Sequence, residues 1–156
     1  MLNISSQIVS NSQLHKVFVY GTLLAEEVLT VLLNRIPSSS LATLPGHHRF
    51  SIVGRVYPAI KPVTGSQVVG KVLLDISDAE LQIFEEFEDF EYDRSFVTVT
   101  LGDEAKELGC FAYIWHNKQD PELYGDWNYE EWRNLHLEEY IKMCATFKEE
   151  LVLPAP

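Results

Sequence analysis

The sequence predicts an α+β fold, a small mixed β-barrel with flanking helices. The 156 residues, of which 46% are hydrophobic and 22% charged, have the size and composition of one globular domain. Short runs that favour strands are separated by helical patterns. They do not alternate with helices in the regular order of a doubly wound parallel sheet. No repeat or linker divides the chain, so one core is expected.

The first half predicts a strand, a tight loop and a helix, followed by an irregular region. Residues 17–20 are apolar and favour a strand that stops at Gly21. From Leu41 to Gly70, prolines and glycines interrupt short β-like pieces, which predicts a strand over His48–Val53 and a long surface loop. The helix before this region has apolar residues at helical spacing, namely Val28, Leu29, Leu32, Leu33 and Ile36.

A further strand and a second helix follow the irregular region. Residues 68–74 favour a strand. Ser77 and Glu80 have the spacing of a capping box, which predicts a helix from this point through Phe87. Glu88 then falls at the end of that helix.

Two more strands and a last helix complete the predicted domain. Residues 94–101 and 109–115 alternate as strands do. Asn128 and Glu131 predict the N-cap and third position of the last helix. Its apolar positions are Trp132, Leu135, Tyr140, Ile141, Cys144 and Phe147.

The charge of the chain argues against nucleic-acid binding. Acidic residues number 23 against 12 basic ones, for a net charge of −11, which repels a phosphate backbone. No apolar run approaches the roughly 20 residues that span a bilayer, so no membrane partner is expected. Residues 1–16 predict a polar, poorly ordered tail, residues 17–150 the domain, and residues 151–156 a C-terminal tail.

Neither the cysteines nor the histidines indicate a metal site. Cys110 and Cys144 lie in apolar patterns, which favours buried free thiols and a cytoplasmic protein. His47 and His48 are adjacent but have no acidic or thiol ligands at metal spacing. No heptad pattern indicates an oligomer, so we expect a monomer without bound metal.

Two segments are candidates for chemistry. Tyr20-Gly21-Thr22-Leu23 is either an ordinary strand-to-helix turn or a loop whose amides converge on an anionic group. Residues 81–94 carry six carboxylates interleaved with aromatic residues. They are either a solvated face or a setting that holds one carboxylate against apolar surface and raises its pKa. Tyr113 and Tyr124 are further candidates, for the mouth of a pocket.

Together these segments resemble a known family. Val-Phe-Val-Tyr-Gly-Thr-Leu over residues 17–23, followed by a helix leading into Glu88 and then by Tyr92 and Arg94, is similar to the gamma-glutamylcyclotransferase-like family. Within it, the chain most resembles the plant avirulence-induced-gene-like proteins, and residues 120–136 are similar to their entry into the C-terminal helix. The resemblance covers residues 17–147.

The resemblance implies a cyclotransferase that releases 5-oxoproline and a free amine from a small gamma-glutamyl compound, without a cofactor. By position in the family pattern, Glu88 would be the catalytic acid/base. The substrate-binding residues would be Tyr20, Gly21, Thr22, Leu23, Leu24 and Ala25.

One departure from the family pattern leaves a second function open. Asp89 stands where the family usually has glycine after the glutamate, so an added carboxylate could raise the pKa of Glu88 or restrict its backbone. The alternative is a catalytically inactive module on the same fold that binds a small ligand or a protein, with a link to plant defence. The two functions differ in whether the chain turns over gamma-glutamyl compounds.

Overall fold

The computed structural model describes residues 13–102 and 105–151. Of the predicted tails, residues 1–16 and 151–156, the stretches 1–12 and 152–156 lie outside the described residues. The first strand begins at His15, two residues before the predicted start of the domain.

The described residues form six strands and three α-helices. The strands are β1 (His15–Val19), β2 (Ser39–Ile52), β3 (Ala59–Ile76), β4 (Tyr92–Leu101), β5 (Lys106–Trp115) and β6 (Leu123–Tyr124). The helices are α1 (Glu26–Leu33), α2 (Asp78–Glu88) and α3 (Tyr129–Glu150), and short 3₁₀ turns cover Thr22–Leu24 and Asp89–Glu91.

Five of the strands close into a barrel. Their order is β3-β1-β5-β4-β2, and β2 also pairs with β3, which joins the two ends of the sheet. The pair β1–β5 is parallel, whereas β1–β3, β2–β3, β2–β4 and β4–β5 are antiparallel. The predicted α+β class with a mixed barrel and flanking helices is therefore confirmed.

The long surface loop predicted between Leu41 and Gly70 is wrong, because β2 and β3 pair along most of it. The pairing runs from Ser39 opposite Leu73 to Phe50 opposite Ala59. Its register shifts between Pro45 and His47, where Gly46 has φ of 71°. Proline and glycine here mark a bulge within a long strand, a position where both are tolerated, and not the end of the strand.

The helix starts follow the predicted caps. The Ser77 hydroxyl accepts from the amide of Glu80 at 3.1 Å, and the Glu80 carboxylate accepts from the amide of Ser77 at 3.0 Å. The Asn128 side chain accepts from the amide of Glu131 at 2.8 Å. Both caps satisfy amides that have no partner inside the helix.

Two positions of the helical patterns do not face the core. Helix α1 ends at Leu33, where Asn34 is left-handed with φ of 60°, and Ile36 beyond it is 50% exposed. Leu135 of α3 is 67% exposed. Single exposed apolar residues are common on protein surfaces.

Strand β1 is buried on both faces. Phe18 and Tyr20 point into the barrel, where they pack with residues such as Leu44 and Ile60. Val17 and Val19 pack on the other side, in the core that the barrel shares with the helices. Burial on both faces explains why this strand reads as a continuous apolar run.

The same two cores contain the cysteines. Cys110 lies in the barrel interior and Cys144 in the core beneath the helices. Both thiols are free and buried, as predicted. Over the part of the chain that the structure describes, no helix is long and apolar enough to cross a membrane.

Gly70 is expected to be essential for the packing of β3 on β1. A Cβ atom at this position would lie 2.2 Å from the carbonyl oxygen of Val19 and 3.0 Å from the ring of Phe18. We expect Gly70→Ala to lower the free energy of unfolding by about 1–3 kcal/mol, because one of the two strands must shift. Urea unfolding measures this change. Val69→Ala, at an exposed neighbouring position, should cost less than about 1 kcal/mol, and equal losses in the two variants would contradict the proposed clash.

Candidate functional site

A cavity of about 270 Å³ opens where β1 ends. Its wall brings together the predicted turn Tyr20–Leu23 and Glu88, which are far apart in sequence. The lining residues are Phe18, Val19, Tyr20, Gly21, Thr22, Leu23, Tyr57, Pro58, Phe87, Glu88, Asp89, Glu91, Tyr92, Tyr113, Tyr140, Met143 and Phe147.

Tyr20 anchors the turn to the barrel through two hydrogen bonds. Its hydroxyl donates to the carbonyl oxygen of Tyr113 at 2.6 Å. Its own carbonyl oxygen accepts from Nη1 of Arg49 at 2.7 Å. Burial, reinforced by the charge of Glu88, raises the pKa of Tyr20 well above its usual value. The hydroxyl therefore remains a donor at every physiological pH.

Gly21 is required by close packing, not by a left-handed backbone. Its φ is −129°. A Cβ atom here would lie 2.7 Å from Cγ and 2.9 Å from Cδ of Pro58. A larger residue would push Pro58 away from the turn, so Gly21 contributes to the fold and to the shape of the cavity.

The turn leaves two backbone amides without acceptors inside it. The amide of Leu24 donates to the carbonyl oxygen of Gly21 at 3.0 Å, and that of Ala25 donates to the carbonyl oxygen of Thr22 at 3.1 Å. Because the first amides of any helical turn lack such partners, those of Thr22 and Leu23 have no acceptor inside the turn. The Thr22 hydroxyl donates to the Tyr140 hydroxyl at 3.1 Å, which ties the turn to α3.

Leu24 and Ala25, also predicted to bind substrate, do not line this cavity. Leu24 lines a separate, open groove beside α1, together with Glu27 and Arg133. Ala25 is fully buried in the core.

Glu88, the last residue of α2, presents a carboxyl group to the cavity without a compensating cation. Within the described residues, that group has neither an ion-pair partner nor a hydrogen bond from another side chain. The residue keeps some solvent-accessible surface, but protein atoms enclose its carboxyl group. This burial, with a smaller contribution from the charge of Glu85, raises the pKa of Glu88 to about 8.

The neighbouring carboxylates are paired or exposed. Glu85 binds Arg94 at 2.7 Å, and Glu91 accepts two hydrogen bonds from Arg55 at 2.6 and 2.7 Å. The hydrogen bonds from Arg55 hold the pKa of Glu91 below its usual value. Glu86 is exposed and contacts Gln82 at 3.3 Å. The acidic segment therefore contains mostly solvated or paired carboxylates and one that is buried and unpaired.

Asp89 occupies a backbone conformation that favours glycine. Its φ and ψ are 59° and −166°, a region that residues with a Cβ rarely adopt. Its side chain accepts a hydrogen bond from the amide of Phe90 at 2.9 Å, which partly stabilises this conformation. Of the two neighbouring carboxylates, it is Glu85 and not Asp89 that raises the pKa of Glu88. The departure from the family pattern therefore acts on the backbone.

Several cavity residues were not predicted from the sequence. Tyr57 and Pro58 lie in the region assigned to a loop, while Tyr140, Met143 and Phe147 belong to α3. Tyr92 could have been found, since it belongs to the family pattern that identified Glu88. Tyr113 lines the cavity as expected, whereas Tyr124 lies on β6 and is 55% exposed.

The two adjacent histidines of β2 contact neighbouring oxygen atoms. Nδ1 of His47 lies 3.0 Å from the carbonyl oxygen of Pro45. His48 contacts the hydroxyl of Ser66 at 3.0 Å and the carboxylate of Asp126 at 2.8 Å. In residues 13–102 and 105–151, no three His, Cys, Asp or Glu side chains are grouped closely enough to hold a metal ion.

Comparison with known proteins gives consistent matches. Residues 17–134 match the family model described as gamma-glutamyl cyclotransferase, AIG2-like. The chain is 54% identical over 142 residues to AIG2-like protein D of Arabidopsis thaliana, which covers 90% of this chain and 93% of that protein. A solution structure of an Arabidopsis thaliana protein matches with a TM-score of 0.70 and 39% identity, over 93% of this chain and 97% of the other. A structure described as gamma-glutamyl cyclotransferase shares the fold, with a TM-score of 0.56 and 17% identity over 92% and 91% of the two chains.

Replacing Asp89 with glycine is expected to stabilise the protein. A residue with a Cβ at φ 59° destabilises the fold by on the order of 1–3 kcal/mol. Glycine removes this strain, but the variant loses the side-chain hydrogen bond and its unfolded chain is more flexible, and both effects offset part of the gain. We expect Asp89→Gly to raise the free energy of unfolding by about 1 kcal/mol in urea titrations. Glu86→Gly, inside the preceding helix α2, should lower it by about 1 kcal/mol. A loss of stability in Asp89→Gly would show that Asp89 is not strained.

The raised pKa of Glu88 predicts a pH-dependent gain in stability for Glu88→Gln. Between pH 4.5 and pH 8 the folded protein keeps a proton on Glu88 that the unfolded chain releases, so the wild type loses stability as pH rises through this range. Glutamine does not titrate. The difference in unfolding free energy between Glu88→Gln and the wild type should therefore grow in favour of the variant from pH 5 to pH 8 and level off above pH 8.

Urea titrations at pH 5, 6.5 and 8.5 measure this difference. Glu86→Gln is the matched control, because Glu86 is exposed on the same helix, and its difference from the wild type should stay nearly constant. If the difference in unfolding free energy between Glu88→Gln and the wild type also stays constant with pH, the pKa of Glu88 is not raised.

Proposed function

The chain belongs to the gamma-glutamyl cyclotransferase, AIG2-like family, and from that premise we propose that it is an enzyme that converts a small gamma-glutamyl compound to 5-oxoproline and a free amine. The observation that carries the proposal is a single cavity lined by both the Tyr20–Leu23 turn and a buried, unpaired Glu88. The proposal includes a monomeric state and a cytoplasmic location. The two free thiols agree with a cytoplasmic location.

The proposed reaction is an intramolecular acyl transfer. The α-amine of the gamma-glutamyl group attacks its own γ-carbonyl carbon, which forms the C–N bond of the five-membered lactam. The C–N bond to the leaving amine then breaks. Two protons must leave the nitrogen of the α-ammonium group, one before the attack and one as the lactam forms, and the departing nitrogen gains two to leave as an ammonium ion. A single group that accepts and then donates a proton in each of the two transfers suffices.

Glu88 is suited to both proton transfers. Its pKa of about 8 lies near neutrality, where a carboxyl group both accepts and donates protons readily. A substrate ammonium ion placed beside it would lower that pKa and favour the carboxylate that accepts the proton. After transfer Glu88 is neutral, the state that its buried surroundings favour, and it can protonate the leaving nitrogen.

The turn is suited to hold the substrate. The free amides of Thr22 and Leu23 are neutral donors for a carboxylate or for the oxyanion that develops at the γ-carbonyl. Because Arg49 and Tyr113 fix Tyr20, these amides keep their positions during the reaction. A fixed, curled substrate gains much of its rate from proximity alone.

We expect Glu88→Gln to lower the release of 5-oxoproline by about 100-fold or more, the usual effect of removing a positioned general base. Glutamine keeps the size of glutamate but cannot accept the ammonium proton. Mass spectrometry of 5-oxoproline released from a panel of gamma-glutamyl compounds measures the effect, and calorimetry with 5-oxoproline checks that binding persists.

Glu86→Gln is the control with the same change in charge. Glu85 and Glu91 are less suitable, because each forms an ion pair with an arginine. Near-normal turnover in Glu88→Gln, or an equal loss in Glu86→Gln, would show that Glu88 is not the base. A wild-type protein that binds a gamma-glutamyl compound but releases no 5-oxoproline would instead support the binding-module alternative.

A further inference from the structure

We propose that Arg55 is a positioning residue of the cavity, which occupies both oxygens of Glu91 and so directs the ammonium group of the substrate to Glu88. This inference rests on the proposed function and adds a residue to it. It depends on the place of Glu91 in the cavity wall, on the contacts of Arg55, and on the positive charge of the substrate's α-ammonium group.

Three acids line the cavity, and the proposed reaction uses one of them. They are Glu88, Asp89 and Glu91. Asp89 is exposed, and its carboxylate accepts a hydrogen bond from the amide of Phe90 at 2.9 Å. Glu91 follows Glu88 by three residues, and its side chain is only 33% exposed. Glu91 is therefore the acid that would compete with Glu88 for a bound cation, because water screens it less than Asp89.

Arg55 engages Glu91 and is not itself part of the cavity lining. Its Nη1 and Nη2 donate to the two carboxylate oxygens of Glu91 at 2.6 and 2.7 Å, and Nη1 also donates to the Tyr57 hydroxyl. The guanidinium lies 5.5 Å from the centre of the Tyr57 ring and 5.8 Å from that of Trp115. A bidentate pair held against two aromatic rings has a fixed geometry, which an isolated surface ion pair lacks.

Without Arg55, Glu91 would attract the substrate more strongly than Glu88 does in the empty cavity. A glutamate without a partner is a carboxylate at pH 7, whereas burial raises the pKa of Glu88 to about 8 and keeps most of it protonated. An ammonium ion pairs with a carboxylate in preference to a neutral carboxylic acid. The α-amine would then lie against Glu91 and keep its proton, away from the proposed base.

Arg55 removes this competitor. Both oxygens of Glu91 already accept hydrogen bonds from the guanidinium, and the pair has no net charge. A substrate that enters the cavity therefore meets Glu88 as the enclosed carboxyl group that can take the ammonium proton.

Nonproductive binding at an unpaired Glu91 has a characteristic kinetic signature. Substrate held there is bound but does not react, so kcat and KM fall by the same factor and kcat/KM stays unchanged. Loss of an ion pair that only supports the cavity wall has a different effect, because a loosened wall binds substrate less well and raises KM.

Arg55→Met tests the inference, because methionine removes the guanidinium donors and keeps an unbranched side chain. With the gamma-glutamyl compound of the panel that the wild type converts fastest, we expect both kcat and KM to fall about tenfold, the effect of one charge-assisted hydrogen bond. The double variant Arg55→Met/Glu91→Gln should return both constants to near the wild-type values, since glutamine has no charge to attract the ammonium group. Glu91→Gln alone is the matched control and should also stay near the wild type.

Binding of 5-oxoproline separates positioning from stability. This product has a lactam nitrogen and no ammonium group, so an unpaired Glu91 does not attract it. Its Kd, measured by calorimetry, should be nearly the same for Arg55→Met and the wild type, and urea titrations show that the variant is folded.

The outcomes distinguish this inference from the proposed function. Unchanged kcat and KM in Arg55→Met, a raised KM with weaker binding of 5-oxoproline, or a double variant as impaired as Arg55→Met would overturn the role of Arg55 and leave the cyclotransferase intact. If the wild type releases 5-oxoproline from no compound of the panel, the proposed function fails and this inference with it.

Discussion

Strand β1 is held between β3 and β5, and the geometry of the site depends on this position. It pairs with β3 along one edge and with β5 along the other, and both of its faces are buried. The chain that leaves β1 at Tyr20 therefore starts from a fixed point. The Tyr113 carbonyl and Arg49 hold Tyr20 itself, and Pro58 packs against Gly21. Strands β5 and β2 and the connection between β2 and β3 thus each contribute to the position of one turn.

Closure of the barrel also determines where the acidic segment meets that turn. Helix α2 follows β3, the neighbour of β1, and so delivers Glu88 beside the end of β1. The cavity forms in the space that remains between this helix end, the turn and α3. Tyr140 connects α3 to the turn through Thr22, and Phe87 contacts Tyr140 and Phe147. Helices α2 and α3, the turn and the barrel therefore enclose the cavity jointly, and no single element contains the site.

The electrostatics of the cavity follow from which carboxylates have an arginine as partner. Arg94 and Arg55 pair with Glu85 and Glu91 on either side of Glu88, and neither reaches the central carboxyl group. A carboxyl group surrounded by protein and without a cation holds its proton more tightly. Among the described residues, no lysine, arginine or histidine lines the cavity, which also makes the lining unfavourable for anions.

The sequence by itself determined the elements whose signals are local. Apolar periodicity located β1 and α1, and the caps at Ser77 and Asn128 located the starts of α2 and α3, because these patterns depend on residues only a few positions apart. Residues 20–25 and Glu88 could be proposed as the site because the residues around them resemble a family pattern in type and order. The same reasoning failed between Leu41 and Gly70, where pairing with distant residues keeps proline and glycine within long strands.

Tertiary structure alone decided which carboxyl group is enclosed by protein and has no ion-pair partner among the described residues, and what surrounds it. Six acids within residues 81–94 are alike in sequence. Only the folded chain brings arginines to Glu85 and Glu91 and an apolar enclosure to Glu88. It also brings Tyr57, Pro58 and Tyr140 to the cavity. The proton affinity of a carboxyl group depends on charges and solvent within a few ångströms in space, and those neighbours come from chain segments whose proximity no local pattern encodes.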